Sequence, residues 1–201
     1  MSQTDRQLME VFARDGDRAA YEELVRRWDA RLVAFLMKAS GNFEAARDLR
    51  QEVFLRIYKY GSTYDPAFAF TTWMFRIVNN VLATWRQREA RRTFAPWDAD
   101  RLAQAPDSAR GPRERAELKG VGREIRDAIA RLEAAERELI LLRLDLELSY
   151  KEISDILGEP ETTLKSRFYA LMRRLKELLA ESGITSVEMY REQQSTAPRT
   201  V

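Results

Sequence analysis

Between residue 4 and about residue 90 the apolar side chains return every three or four positions. They run through Tyr21, Leu24, Val25, Trp28, Leu32, Phe35 and Leu36, then Leu49, Val53, Phe54, Ile57 and Tyr58, then Trp73, Ile77, Val81 and Trp85. That spacing lines up one side of an α-helix, and nothing in this half alternates as a half-buried strand would. Turn formers interrupt it at Asp15-Gly16-Asp17, at Ser40-Gly41-Asn42 and from Gly61 to Pro66, with Asp17 and Asn42 positioned as N-caps. Four helices in one bundle are therefore expected over residues 1–90.

Residues 91–117 carry Pro96, Pro106, Gly111 and Pro112 with little apolar periodicity, as a linker long enough to let two domains sit apart would. Helical spacing resumes at Ile125, Ile129 and Leu132 and continues through Leu139, Ile140, Leu142 and Leu146. The expected architecture is all-α: two small helical bundles, 1–90 and 118–181, joined by a Pro-containing linker and followed by a polar tail, 182–201.

The second bundle ends in a helix-turn-helix pattern, SYKEISDILGEPETTLKSRFYALMRRL. Ser149 and Glu152 form a capping box, Ile153, Ile156 and Leu157 give one apolar face, Gly158 ends the helix and Pro160 suits the next first turn. In the following helix Leu164, Phe168, Leu171, Leu175 and Leu178 take the core positions, which turns Lys165, Ser166, Arg167, Tyr169, Arg173 and Arg174 outward. A helix so decorated fits a DNA major groove. Its first residues, Glu161 to Arg167 with Thr162 and Thr163 among them, are nearest the base edges, and Arg173 and Arg174 suit phosphates. A helical hairpin with a solvated basic face would share part of this pattern.

Composition narrows the function classes. Net charge is only +2, from 34 basic and 32 acidic residues, so it is distribution that matters: Arg86, Arg88, Arg91 and Arg92 form one basic patch, and Lys165, Arg167, Arg173, Arg174 and Lys176 another. The chain has no Cys and no His, which removes thiolate and imidazole catalysis, disulfides and the commonest zinc sites. No P-loop, dinucleotide fingerprint or paired-carboxylate motif appears, so neither enzymatic activity, a metal nor a cofactor is expected. No apolar run approaches the roughly 18 to 20 residues that span a bilayer, and a cytoplasmic protein without membrane insertion is expected.

The stretch YKEISDILGEPETTLKSRFYALMRRL, preceded by RELILLRL, resembles the −35-reading domain of the extracytoplasmic-function (ECF) sigma factors, group IV of the bacterial housekeeping-type sigma family. YEELVRRWDARLVAFL, DLRQEVFLRIYKY and FTTWMFRIVNNVLATWRQR look like the family's other domain, which binds core RNA polymerase and reads and melts the −10 element. The resemblance implies a sigma factor whose partners are core polymerase and promoter DNA. It implies that Asn80 and the loop Asp65 to Thr71 hold an unstacked base, with Phe68, Phe70, Trp73, Asn80, Trp85, Arg86 and Arg88 as −10 contacts. Trp73 and Trp85 also lie on the apolar stripe, where packing is the competing role.

One departure stands out. Where the family carries an acidic run facing polymerase, this chain has Ala45, Ala46, Arg47 and Asp48, with Arg50 following; Glu44, Asp48, Gln51 and Glu52 remain as polymerase contacts. Phosphorylation of Ser62 or Thr63 by a Ser/Thr kinase would restore about −1.5 to −2 charges, a control that the resemblance implies for members lacking the run. An anti-sigma factor is the other expected controller. The alternative reading is an operator-binding transcription regulator, which would bind duplex DNA unaided, usually as a dimer.

Overall fold

A computed structural model describes residues 3–91, 128–129 and 131–181. The linker segment 92–117, Ile125, Arg92, the side chain of Arg91 and the tail 182–201 lie outside the described residues. Among those described there is no strand, and seven α-helices carry the fold. They are α1 (Asp5–Asp15), α2 (Arg18–Ser40), α3 (Phe43–Tyr60), α4 (Phe70–Arg91), α5 (Ala134–Ile140), α6 (Tyr150–Leu157) and α7 (Glu161–Glu181).

Local chemistry sets the boundaries. Asp17 accepts from the amides of Ala19 and Ala20, and Asn42 from that of Ala45, so the expected caps begin α2 and α3. Thr4 and Gln7 add a reciprocal capping box at α1. Past α3 a 3-10 turn, Gly61–Thr63, brings the chain against α1. A side chain at Gly61 would put its Cβ 2.5 Å from Phe12 Cε1, so only glycine permits that approach.

The helices α1 to α4 enclose one core in which Leu24, Leu32, Leu36, Ile57, Met74, Phe75 and Leu82 are all buried. Trp28 and Phe35 meet Phe75 edge to face, with ring centroids 6.4 and 4.9 Å apart. Tyr58, which the period placed on the apolar stripe, is instead 55% exposed; its inner edge packs on Phe12 and Tyr21 and its outer face meets solvent.

The second bundle departs from a simple helical period at Leu141–Asp145, where one wide π turn continues α5 and the Leu146 amide donates to Leu141 O. The five residues Glu138 to Leu142 are all buried, because this segment is wedged among α2, α4 and α7. At the other end Leu179, not Leu178, completes the buried stripe of α7; Leu178 is half-buried.

The separation that a linker permits is not used. The described parts of the two bundles share a contiguous core, with α6 lying on α4 and α5 against α2. Polar contacts cross the same boundary: Arg86 to Glu138 at 2.7 Å, Arg76 Nε to Asp155 O at 2.6 Å, and Lys38 to Asp145.

Candidate nucleic-acid interface

The helix-turn-helix is built as its sequence requires. Ser149 Oγ accepts from the Glu152 amide while the Glu152 carboxylate accepts from the Ser149 amide, which starts α6. Gly158 ends it at φ 72, and the Leu164 amide reaches back to Pro160 O to open α7. Leu164, Phe168, Leu171 and Leu175 face inward. Thr162, Thr163, Lys165, Ser166, Tyr169, Arg173 and Arg174 are exposed together on the other side, and Tyr169 is 70% exposed.

Acidic partners hold part of this surface in register. Arg167 pairs with Glu159, Lys165 lies 3.4 Å from Glu161, and Arg174 lies 3.3 Å from Glu136. Arg173 and Lys176 make no ion pair among the described residues. Ser166 Oγ donates to Thr163 O at 2.9 Å, leaving its lone pairs outward. The result is a row of hydroxyl, ammonium and guanidinium groups on a helix that α5 and α6 support from behind.

The second candidate surface lies on the 64–69 loop and α4. Asp65 accepts from the Ala67 amide at 2.9 Å and the Tyr64 hydroxyl donates to Phe68 O at 2.9 Å, which fixes the loop against the bundle. Asn80 and Arg88 are exposed on α4, Trp85 is half-buried, and Phe68 is half-buried beneath the Arg76 guanidinium, 4.3 Å from its ring centre. Phe70 and Trp73 do not join this surface. They are 3% and 8% exposed, tilted against one another and in edge-to-face contact with Trp28 and Tyr64 respectively, so packing has buried the rings that a base would need.

Arg86 also turns inward. Its guanidinium donates to Glu138 at 2.7 Å and to Ala134 O at 3.4 Å, and its Nε has no acceptor among the described residues. Glu138 is 3% exposed, and burial holds its carboxyl above the usual carboxylate range although Arg86 opposes the shift. Arg137 is brought down to about 10, by burial first and by the Arg86 charge second. Arg76, a residue the sequence reading passed over, belongs with this group. It stands four positions before Asn80, one helical turn away, and that spacing was the available signal.

A third surface runs along α3. Glu44, Asp48 and Gln51 are exposed, whereas Glu52 is engaged by Arg56 at 2.6 Å. Arg50 folds back to Asp29 at 2.8 Å, so one of the two arginines near the depleted acidic run is already neutralised within the chain. Leu55, 60% exposed, and Tyr58 continue the row 44, 48, 51, 55, 58 at helical spacing. The sequence reading missed Leu55, although an apolar residue on a polar stripe is itself a signal. Ser62 and Thr63 are both exposed in the 3-10 turn, with the Thr63 hydroxyl donating to Tyr60 O at 2.7 Å.

A helix-turn-helix with an outward basic face, following an α-helical bundle that exposes Asn80, is the arrangement expected of a protein of the sigma-70 class, and the family matches show that class. Residues 24–92 match the model of Sigma-70 region 2, and residues 122–175 match that of Sigma-70, region 4. The chain belongs to the ECF RNA polymerase sigma factors. It is 32% identical over 177 residues to the ECF RNA polymerase sigma factor SigE of Mycolicibacterium smegmatis, covering 85% of this chain and 67% of that one. It is 30% identical over 172 residues to SigL of Mycobacterium tuberculosis, covering 84% and 91%. The fold resembles that of CnrH in complex with the cytosolic domain of CnrY, at TM-score 0.64 and 22% identity over 89% of this chain and 99% of that one. It also resembles RpoE in complex with the anti-sigma factor NepR from Bartonella quintana, at TM-score 0.62 and 22% identity over 80% and 96%. Matches to both sigma regions support a sigma factor and not an operator-binding regulator. Among the described residues no helix is long and apolar enough to cross a membrane.

Proposed function

We propose that this sigma factor divides promoter recognition between its bundles, with residues 1–90 serving polymerase and the −10 element, 118–181 the −35 element, 91–117 linking them and 182–201 forming a tail. The observation that supports this division most is the exposed polar row of α7, Thr162 to Arg174, on a buttressed helix-turn-helix. In this reading Lys165, Ser166 and Arg167 address base edges, and Arg173 and Arg174 address phosphates. Phe68, Asn80 and Arg88, joined by Arg76, meet the unstacked strand, while Phe70 and Trp73 shape the pocket from beneath. Glu44, Asp48, Gln51, Leu55 and Tyr58 face polymerase. Initiation factors of this family are not catalysts: this chain supplies specificity and polymerase supplies the chemistry.

Control has two candidate routes. An anti-sigma factor is one, by analogy with the RpoE–NepR complex, whose fold this chain resembles. Phosphorylation of the exposed Ser62 or Thr63 is the other. These residues sit at the C-terminal end of α3, whereas the missing acids lie in its first turns, roughly 20 to 25 Å away at the helical rise. A phosphate there would act beside Leu55 and Tyr58 and would not refill the vacant acidic positions. It would also remove the hydroxyl donor that Thr63 gives to Tyr60 O.

Run-off transcription with bacterial core polymerase and upstream DNA tests both levels. Initiation at discrete sites that depends on this chain supports the sigma reading, and its absence with a competent polymerase contradicts it. Stronger initiation with Thr63→Glu supports the phosphate route, and equal initiation with both proteins removes it.

A further inference from the structure

The acidic residues around α7 are not spread evenly over its basic ones. Arg167 gives an Nη1 hydrogen to the Glu159 carboxylate, and Lys165 Nζ stands 3.4 Å from Glu161 and 5.6 Å from the Tyr150 ring centre. Both acidic partners sit at the start of the helix, Glu159 in the turn before it and Glu161 as its first residue. Farther along, Arg173 and Lys176 have no carboxylate partner among the described residues. Arg174 lies 3.3 Å from both oxygens of Glu136, but that carboxylate already accepts from the Glu133 amide at 2.8 Å, so its hold on Arg174 is shared.

Side-chain direction explains the Arg167 contact. A helical side chain leans toward the helix N-terminus, which carries the Arg167 guanidinium back to the turn where Glu159 lies, eight positions earlier. That is also the end of a recognition helix that comes closest to base edges. Left alone, a long cationic side chain on this flank is free to swing to the nearest phosphate, which adds affinity and no sequence information. Glu159 acts against that choice in two ways. Its hydrogen bond fixes one edge of the guanidinium and leaves other donors free. Its negative charge repels a phosphate at the same place, whereas the N7 and O6 acceptors of a guanine carry no net charge and meet no such repulsion. The Arg167 and Glu159 side chains are 33% and 36% exposed. A pair so exposed adds little to stability, which makes stability a poor reason for a carboxylate on a DNA-facing element.

We propose that Glu159 is a positioning residue for sequence readout. It holds Arg167 toward a base edge and away from phosphates, so that this chain gives up non-specific affinity for discrimination at one or two adjacent base pairs of the upstream element. This rests on the assignment of α7 to the −35 element.

The test uses the full chain. Run-off with core polymerase locates a start site, the upstream element of that promoter is randomised, and the DNA retained by the polymerase complex is sequenced for each variant. Glu159→Ala is expected to lower the base preference at one or two adjacent upstream positions by about fivefold or more, the low end for a bidentate contact, and to leave the −10 preference as it was. Glu159→Gln keeps an acceptor without the charge and is expected to retain more of that preference. Titrated alone with a fluorescent mixed-sequence duplex, both variants should bind about twofold or more tighter than the parent, with a log–log salt slope steeper by up to about one. Glu177→Gln removes the same charge from an exposed position of α7 and should tighten mixed-sequence binding without altering preference. In an Arg167→Ala background, Glu159→Ala should no longer change preference. Circular dichroism checks that each chain keeps its helix. An upstream preference that is the same in folded Glu159→Ala and in the parent overturns the inference, as does an equal loss in Glu177→Gln or a loss that persists without Arg167; the sigma reading survives those results. A parent chain that directs no discrete start with a competent polymerase, or shows no upstream preference, overturns the −35 reading and the inference with it.

Discussion

Gly158 shows how much of the helix-turn-helix rests on single backbone positions. It stands at φ 72 with nothing within 4 Å of where a Cβ would be, so Gly158→Ala meets conformational strain and no clash. Thermal or urea unfolding is expected to show a loss of about 1–2 kcal/mol, and an unchanged midpoint would mean the turn relaxes. Glu23 carries the clearest titration. Hydrogen bonds from Arg26 first and Arg27 second bring its carboxyl down to about 2. Its folded value lies below its unfolded one, so its contribution is present above about pH 4.3 and is lost as pH falls through about 2. Glu23→Gln is expected to flatten the acid limb of a stability–pH curve in that window and to leave its shape near neutrality alone. At this scale the sequence was legible where chemistry is local: the Asp17, Asn42 and Ser149 caps follow from residue type and spacing. For Trp73 it left core and contact both open, since that residue lies on the apolar stripe, and for Phe70 it held no signal of burial. A ring in a pocket-forming loop and a ring in a core look alike until the neighbours Trp28 and Tyr64 are in place.

Helix α3 carries the question of partner strength. Its outward row mixes Glu44 and Asp48 with Arg47, and Arg50 and Glu52 are spent on Asp29 and Arg56. With so little net acid left, the exposed Leu55 and Tyr58 become the main apolar anchors of the proposed polymerase contact. Leu55→Asp is expected to leave unfolding within about 0.5 kcal/mol while weakening binding to core polymerase about tenfold. Titration calorimetry or anisotropy with labelled chain checks it, and an unaltered affinity would move the contact off this face. Glu44→Gln should instead act mainly on the association rate and its salt dependence. The period of α3 was readable from sequence, but the side of it left uncovered was not, because α1, α2 and α4 decide between them which apolar residues are buried. The π turn at Leu141–Asp145 escaped for a similar reason: five successive buried residues arise only where a segment is enclosed on all sides.

For the whole molecule, the all-α architecture and its two sigma regions could be read from helical spacing, punctuation and resemblance, whereas their docking could not. Nothing in the spacing of Arg76, Arg86, Glu138 and Asp155 announces that they meet, since 52 positions separate Arg86 from Glu138 and 79 separate Arg76 from Asp155. The molecule exposes the polar row of α7 while Arg76 and Arg86 of α4 are engaged within the chain, so in the proposed reading duplex contact and strand capture are separable events. Permanganate footprinting of promoter DNA, found by run-off, tests the central claim most directly. With this chain and core polymerase together, unpaired reactive thymines are expected near the start site, and Asn80→Ala should diminish them while −35 protection persists. Reactivity that is the same with core polymerase alone, or specific duplex protection by this chain without polymerase and no melting with it, would contradict the account.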